Sequence, residues 1–255
     1  MKIETILEHS LLLRREKKFH QAFEYVSGLI APEPAYAAMR WQHNPIFWSD
    51  ISAGSCVLTR RNADDHVFIR ELFALPGFRR SFHRNSNLLP KDNALLQAKL
   101  DEEMTSLLFE SGALHWVVRD AHRQPWGLLS LCDVSLTHQR AEILMGMRPN
   151  APLGLTASAM LMTYEFFFKF MKFNKLVSFI YKDNLKSLKS TLHLGFEVEG
   201  ELHQHNLDPE TGQFLDVTQL GLNKGQAFSQ NNQRLAQRLL RPKTKDQLTT
   251  YSNLC

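Results

Sequence analysis

Cysteine is scarce: Cys56, Cys132 and Cys255 are the only three in 255 residues, and no two form a C-x-x-C pair. That excludes a disulfide framework and the common zinc patterns, and it predicts a reducing, cytoplasmic setting with no metal. Glycine (12) and proline (10) are also few, and with 44% hydrophobic residues this argues against a disordered chain and for a well-cored one. No apolar run approaches the ~18 residues of a membrane span, and Met1–Glu8 carries acids where a secretion signal needs an apolar stretch, so neither insertion nor secretion is expected.

The formal net charge of +4 looks like a nucleic-acid signal until it is located. Lys224, Arg234, Arg238, Arg241, Lys243 and Lys245 face Asp246 alone in the stretch 223–255, which leaves the rest of the chain close to neutral. The excess reads as a solvated terminal helix with a frayed end, with RNA or an acidic partner as the alternative. No aromatic ladder accompanies it, so nucleic acid is not expected.

Between Arg140 and Phe173 lies the most informative stretch. Arg140–Met147 is a short apolar run that reads as a strand, Arg148–Gly154 is a Pro/Asn/Gly loop, and Thr156–Phe173 has helix-forming composition. A strand, a tight loop and a helix start direct several unpaired N–H groups and the positive end of the helix dipole at one spot, which suits a pyrophosphate. The helix has a narrow polar face of Ser158, Glu165, Lys169 and Lys172 and is otherwise rich in Met and Phe, more apolar surface than one sheet can cover. A cap is therefore expected, either the amino-terminal helices or a second subunit in a homodimer.

Elsewhere the pattern gives helices within residues 4–47, stopped by Pro32 and Pro34, whose spacing is similar to half of a tetratricopeptide unit. Trp41, Phe47 and Trp48 read as buried packing. Cys56–Asp65 reads as a first strand followed by the start of a helix that runs to about Leu75; further strands are expected at Leu114–Arg119, Pro125–Val134, Leu176–Tyr181, Glu199–His205 and Leu215–Leu222, and a helix from Asp92 to Phe109.

Four ordered motifs carry a resemblance: Arg140-Ala141-Glu142-Ile143, the Leu153–Ala157 loop and helix start, Asn184-x-x-Ser187, and Leu194-Gly195-Phe196 running to Glu199-Gly200. Together they resemble the GNAT superfamily of N-acetyltransferases, in the branch of ribosomal-protein alanine, spermidine and nucleotide-aminosugar enzymes, over Cys56 to Leu222. The resemblance implies an α/β fold: a mixed, mostly antiparallel sheet flanked by helices, whose fourth and fifth family strands (Arg140–Met147 and Leu176–Tyr181) splay apart. Three segments follow: an amino-terminal helical extension at 1–50, the transferase domain at 55–222 and the basic tail at 223–255.

The resemblance further implies acetyl-CoA as cosubstrate. Its pyrophosphate would lie on Leu153, Gly154, Leu155, Thr156 and Ala157, and its pantetheine arm along the backbone near Met145 and Met147, with Asn184 bonding the arm near the thiol end and Ser187 capping or flanking the next helix. His83 and Arg84 would contact the acceptor. An amine with a pKa near 10 must lose a proton before it attacks, and Glu142 is the candidate base or relay; the competing reading is a carboxylate paired with Arg119, Arg140 or Arg148. Asn184 could equally be a plain helix cap. The chain departs from the pattern at Ala151 and Thr156 in the loop and at Thr191, where many relatives carry the tyrosine that protonates the leaving thiolate. Tyr164, Tyr181, His193 or water remain as substitutes. The expected activity is acetyl transfer to a small primary amine of polyamine or aminosugar type. A protein amino terminus as acceptor, or a catalytically weak acyl-CoA-binding regulatory module, are the alternatives.

Overall fold

The structure, a computed structural model, describes residues 3–16, 18, 21–22, 24–25, 44–75, 77–82, 89–106, 108–209 and 211–241. Eight strands form one sheet: β1 Ile51–Ala53, β2 Cys56–Arg60, β3 Leu114–Asp120, β4 Pro125–Ser135, β5 Arg140–Met147, β6 Lys175–Tyr181, β7 Glu197–Leu207 and β8 Phe214–Asn223. Their spatial order is β1-β2-β3-β4-β5-β6-β8-β7, and every neighbouring pair is antiparallel except β5 with β6. The mixed, mostly antiparallel α/β fold expected from the sequence is the one found. The short β1 was not expected, since three residues carry no alternation to read, so the family's fourth and fifth strands are β5 and β6 here.

The helices are α1 Ile3–Arg15, α2 Pro45–Trp48, α3 His66–Ala74, α4 Phe78–Phe82, α5 Asn93–Thr105, α6 Leu108–Ser111, α7 Leu155–Tyr164, α8 Leu185–His193, α9 Lys224–Ala227 and α10 Gln230–Leu239. Local chemistry sets their starts: Asn62 and Asp65 cap each other reciprocally ahead of α3, and Asp92 accepts from the N–H groups of Ala94 and Leu95 at the start of α5. The second and third amino-terminal helices, the tetratricopeptide-like spacing and Trp41 fall largely outside the described residues. No helix among the described residues is long and apolar enough to cross a membrane.

Two apolar layers sandwich the sheet. On one face α3, α4 and α5 bury Phe68, Ile69, Leu72, Phe78, Leu96 and Leu100 against Val117 and Leu128. On the other, α7 lies over Trp116, Leu129, Leu131, Ile143, Leu176 and Leu220. The expected single α-helix from Thr156 to Phe173 changes winding at Glu165: the turn Glu165–Phe170 is a π-helix, and Met171 N–H reaches back five residues to Phe166 O at 2.9 Å. Phe166, Phe167 and Phe168 are all buried, because each meets a different neighbour: Phe47 and Trp116, then Phe173, then Tyr164 and Phe228.

Those neighbours identify what covers the apolar surplus of α7. Phe47 comes from α2, and Phe228, just after α9, and Leu235, Ala236 and Leu239 of α10 pack on the same cluster, with Leu240 buried in it. The reading of residues from 223 onward as a solvated helix and frayed end is therefore corrected for 224–240. Asn232 is 1% exposed, and its amide donates to the carbonyls of Leu194, Gln226 and Ala227, tying α10 to the end of α8. The charge pattern misled because α10 carries its basic residues on the side away from that apolar face.

Candidate active site

β5 and β6 pair at Arg140–Lys175, Ala141–Leu176 and Glu142–Val177, and there the pairing stops. β5 continues along β4 to Met147 opposite Gly127, and β6 continues along β8 to Tyr181 opposite Val217. The expected splay is present. It leaves the facing edges of Ile143–Met147 and Ser178–Tyr181 without a partner strand among the described residues. Unpaired N–H and C=O groups along such an edge can bond an extended amide-bearing chain as a further strand would. Met145 and Met147 lie on this edge, half-buried.

β5 ends as Arg148 N–H donates to Trp126 O at 2.7 Å, and the loop tightens through Ala151 N–H to Arg148 O and Leu155 N–H to Pro152 O. Gly154 sits at φ 84°, a left-handed value that strains residues with a Cβ, and α7 starts there without a side-chain cap. The first helical bond runs from Ser158 N–H to Gly154 O at 2.9 Å. The N–H groups of Thr156 and Ala157 have no partner among the described residues. Buried Leu155 anchors the helix start, while Leu153 and Thr156 are exposed, so the amide cluster opens to solvent beside the splay. This arrangement can hold an anion through N–H donors and the helix dipole.

Glu142 is the last residue of β5 that pairs with β6 and lies next to Cys132 of β4 and Val177 of β6. The arginines that could have neutralised it are engaged elsewhere: Arg119 with Asp65, Arg140 with Asp133 at 3.1 Å and Arg148 with Glu71 at 2.6 Å. Burial, aided by the charge of Asp133, pushes the Glu142 carboxyl up from 4.5 to about 7. A carboxylate poised there can take a proton at neutral pH. Burial likewise pushes the adjacent Cys132 thiol up to about 12, which keeps it neutral.

Side chains alternate along β5, so Glu142, Leu144 and Gly146 share a face. That face is the one covered by α4: a Cβ at Gly146 would lie 2.6 Å from Phe78 and 2.8 Å from Phe82. Gly146→Ala is expected to push α4 off the sheet, costing about 1–3 kcal/mol of stability in denaturant melts.

Asn184 caps α8 by accepting from Ser187 N–H at 3.2 Å, and its own N–H bonds Tyr181 O at 2.8 Å. The capping role is thus real and leaves the Asn184 amide NH₂ available for a second bond. Among the substitutes for the missing tyrosine, Tyr164 is buried and donates to Leu194 O at 3.1 Å, which removes it from reach of the splay. Tyr181 stays half-buried at the end of β6, where its hydroxyl accepts from Asn206, and His193 is exposed at the end of α8. His83 and Arg84 lie outside the described residues. Among the described residues no group of three or more His, Cys, Asp or Glu side chains is arranged to hold a metal ion.

Two features of this region went unread in the sequence. Phe179 lies on the same face as Glu142, which alternation from Val177 could have revealed. Arg80 pairs with Asp183 at 3.2 Å across a large chain separation that no local pattern encodes.

Similar architecture appears in solved structures. A Vibrio cholerae spermidine N-acetyltransferase in complex with CoA and spermine is 18% identical, with a TM-score of 0.59 over 69% of this chain and 99% of that one. A Vibrio cholerae spermidine/spermine N-acetyltransferase in complex with manganese ions is also 18% identical, at a TM-score of 0.54 over 67% and 94%. At such identity the likeness speaks for the fold. No curated protein matches by sequence. The family model for the acetyltransferase (GNAT) domain matches residues 57–197, a span that holds the splayed strands, the uncapped helix start and Glu142. More than half of the sequence follows that model, and the chain belongs to the GNAT acetyltransferase family.

Proposed function

We propose that this protein transfers an acetyl group from acetyl-CoA to the primary amine of a small acceptor of polyamine type, and that it does so in the cytoplasm. The observation that carries the reading is the parting of β5 and β6 immediately after Glu142, beside a helix start whose amides have no side-chain cap. The spermine and CoA in the similar Vibrio cholerae structure favour a polyamine over the aminosugar and protein-terminus alternatives. We assign the chemistry to residues 55–222, with 1–50 as an extension and 223–255 as a basic tail whose residues 224–240 complete the core around α7.

In this reading the turn Leu153–Ala157 holds the pyrophosphate, with the N–H groups of Thr156 and Ala157 as donors, the free edge of β5 at Met145 and Met147 pairs with the pantetheine amides, and Asn184 donates its NH₂ to that arm while Ser187 holds Asn184 in place. Glu142, ionised above about pH 7, accepts the proton of the incoming ammonium, directly or through a water. The freed amine attacks the thioester carbon and forms the C–N bond, as an N–H on the β5 edge stabilises charge on the carbonyl oxygen. The C–S bond then breaks, and the proton that the nitrogen must still lose to become an amide passes through water to the thiolate, leaving acetylated product and CoA thiol. His83 and Arg84 are assigned to the acceptor side.

Calorimetry with acetyl-CoA followed by turnover on an amine panel tests this. Binding at micromolar Kd with acetylation of spermidine is the expected result. Binding without turnover on any amine overturns it in favour of a regulatory acyl-CoA-binding module.

A further inference from the structure

We propose that Phe82 and Phe179 are the facing walls of the acceptor slot, and that they select an amine on an alkyl stem, a diamine or polyamine, over an amino sugar. The inference rests on the acetyl-transfer reading above. Glu142 and Val177 are register partners, so alternation along β6 puts Phe179 on the face of Glu142. Phe179 is two residues beyond the last pair, about 6.6 Å further along β6, where that strand has parted from β5. It therefore borders the opening where an amine must approach the acyl group.

The opposite wall is aromatic too. Gly146 has no side chain, and Phe78 and Phe82 fill the space above it, their rings stacked at 5.3 Å. Phe78 is buried, but Phe82 and Phe179 are only half-buried and keep ring surface for a ligand. His205 backs Phe179 in a stacked arrangement at 6.2 Å. The ion pair of Arg80 on α4 with Asp183 just after β6 ties the two walls together above the cleft.

Ring faces attract alkylammonium groups electrostatically and shelter methylene stems from water. An amino sugar brings several hydroxyls that need hydrogen-bond partners, which two phenyl rings do not supply. Beside them Glu142 offers a carboxylate for the reacting nitrogen.

The test is steady-state kinetics of the full chain with putrescine, spermidine and glucosamine as acceptors, with melting temperatures confirming that each variant folds. Wild type should favour spermidine over glucosamine by at least about tenfold in kcat/KM. Phe179→Ala should raise the KM for spermidine at least about tenfold, leave the KM for acetyl-CoA within about twofold, and erase most of the preference. Phe179→Tyr, which keeps the ring, should recover it. An unchanged spermidine KM in Phe179→Ala, or equal wild-type efficiency with glucosamine, overturns the slot and leaves the acetyl-transfer reading standing. A wild type that binds acetyl-CoA yet acetylates none of the three overturns both.

Discussion

Replacing Glu142 by Gln is expected to lower kcat by about 10²–10⁴-fold while leaving acetyl-CoA binding within a few-fold, the loss typical of a missing general base. In wild type, kcat/KM should rise with pH through about 7 and level off, because the carboxyl is active only when ionised. In the Gln variant that limb should vanish. A variant that keeps the limb would assign the proton transfer to another group.

The same substitution should make the protein more stable. The carboxyl is raised from 4.5 to about 7, so its stabilising contribution is complete below about pH 4.5 and is lost as pH rises through 7. Above that, ionised Glu142 in a desolvated site costs up to about 3 kcal/mol, which a neutral Gln does not. Thermal melts at pH 8 should place Glu142→Gln several degrees above wild type, and melts at pH 5 should bring the two together. A gain of equal size at both pH values would sink the assignment of the cost to ionisation.

The second large effect concerns the carboxyl-terminal segment. A chain ending at Asn223 is expected not to fold: it would lose buried Ala227, Asn232 and Leu240 and strip Phe228, Leu235 and Leu239 from α7. At about 1.5–3 kcal/mol for each large apolar side chain, the loss rivals the whole ~5–15 kcal/mol stability of a domain. Circular dichroism and solubility of the shortened chain check this; a monomeric, cooperatively melting product would show that the helices merely lean on the core.

That segment also marks where sequence reading fell short. The strand Arg140–Met147 and, to within one residue, Pro125–Ser135 were legible because alternation and motif agreed, and the place of Glu142 on the first of them was legible with it. The covering of α7 was legible only as a need: the excess of Met and Phe demanded a partner, but composition does not name one. In the segment 224–240, charge was counted over the whole stretch although the apolar residues Leu235, Ala236 and Leu239 line one side of α10. The change of winding at Glu165 and the contact of Gly146 with Phe78 and Phe82 depend on neighbours far away in sequence, so no local period could carry them.

The interrupted pairing of β5 and β6 also has a mechanical meaning. Only three residue pairs stitch β1–β5 to β6–β8 within the sheet, so the sheet has a seam, and the two parts rely on α7 and the other packed helices to stay in line. A ligand lying in that seam would bond both sides at once and act as a missing strand. Substrate would then be structural mortar as well as reactant, and the empty enzyme the looser of two versions of itself.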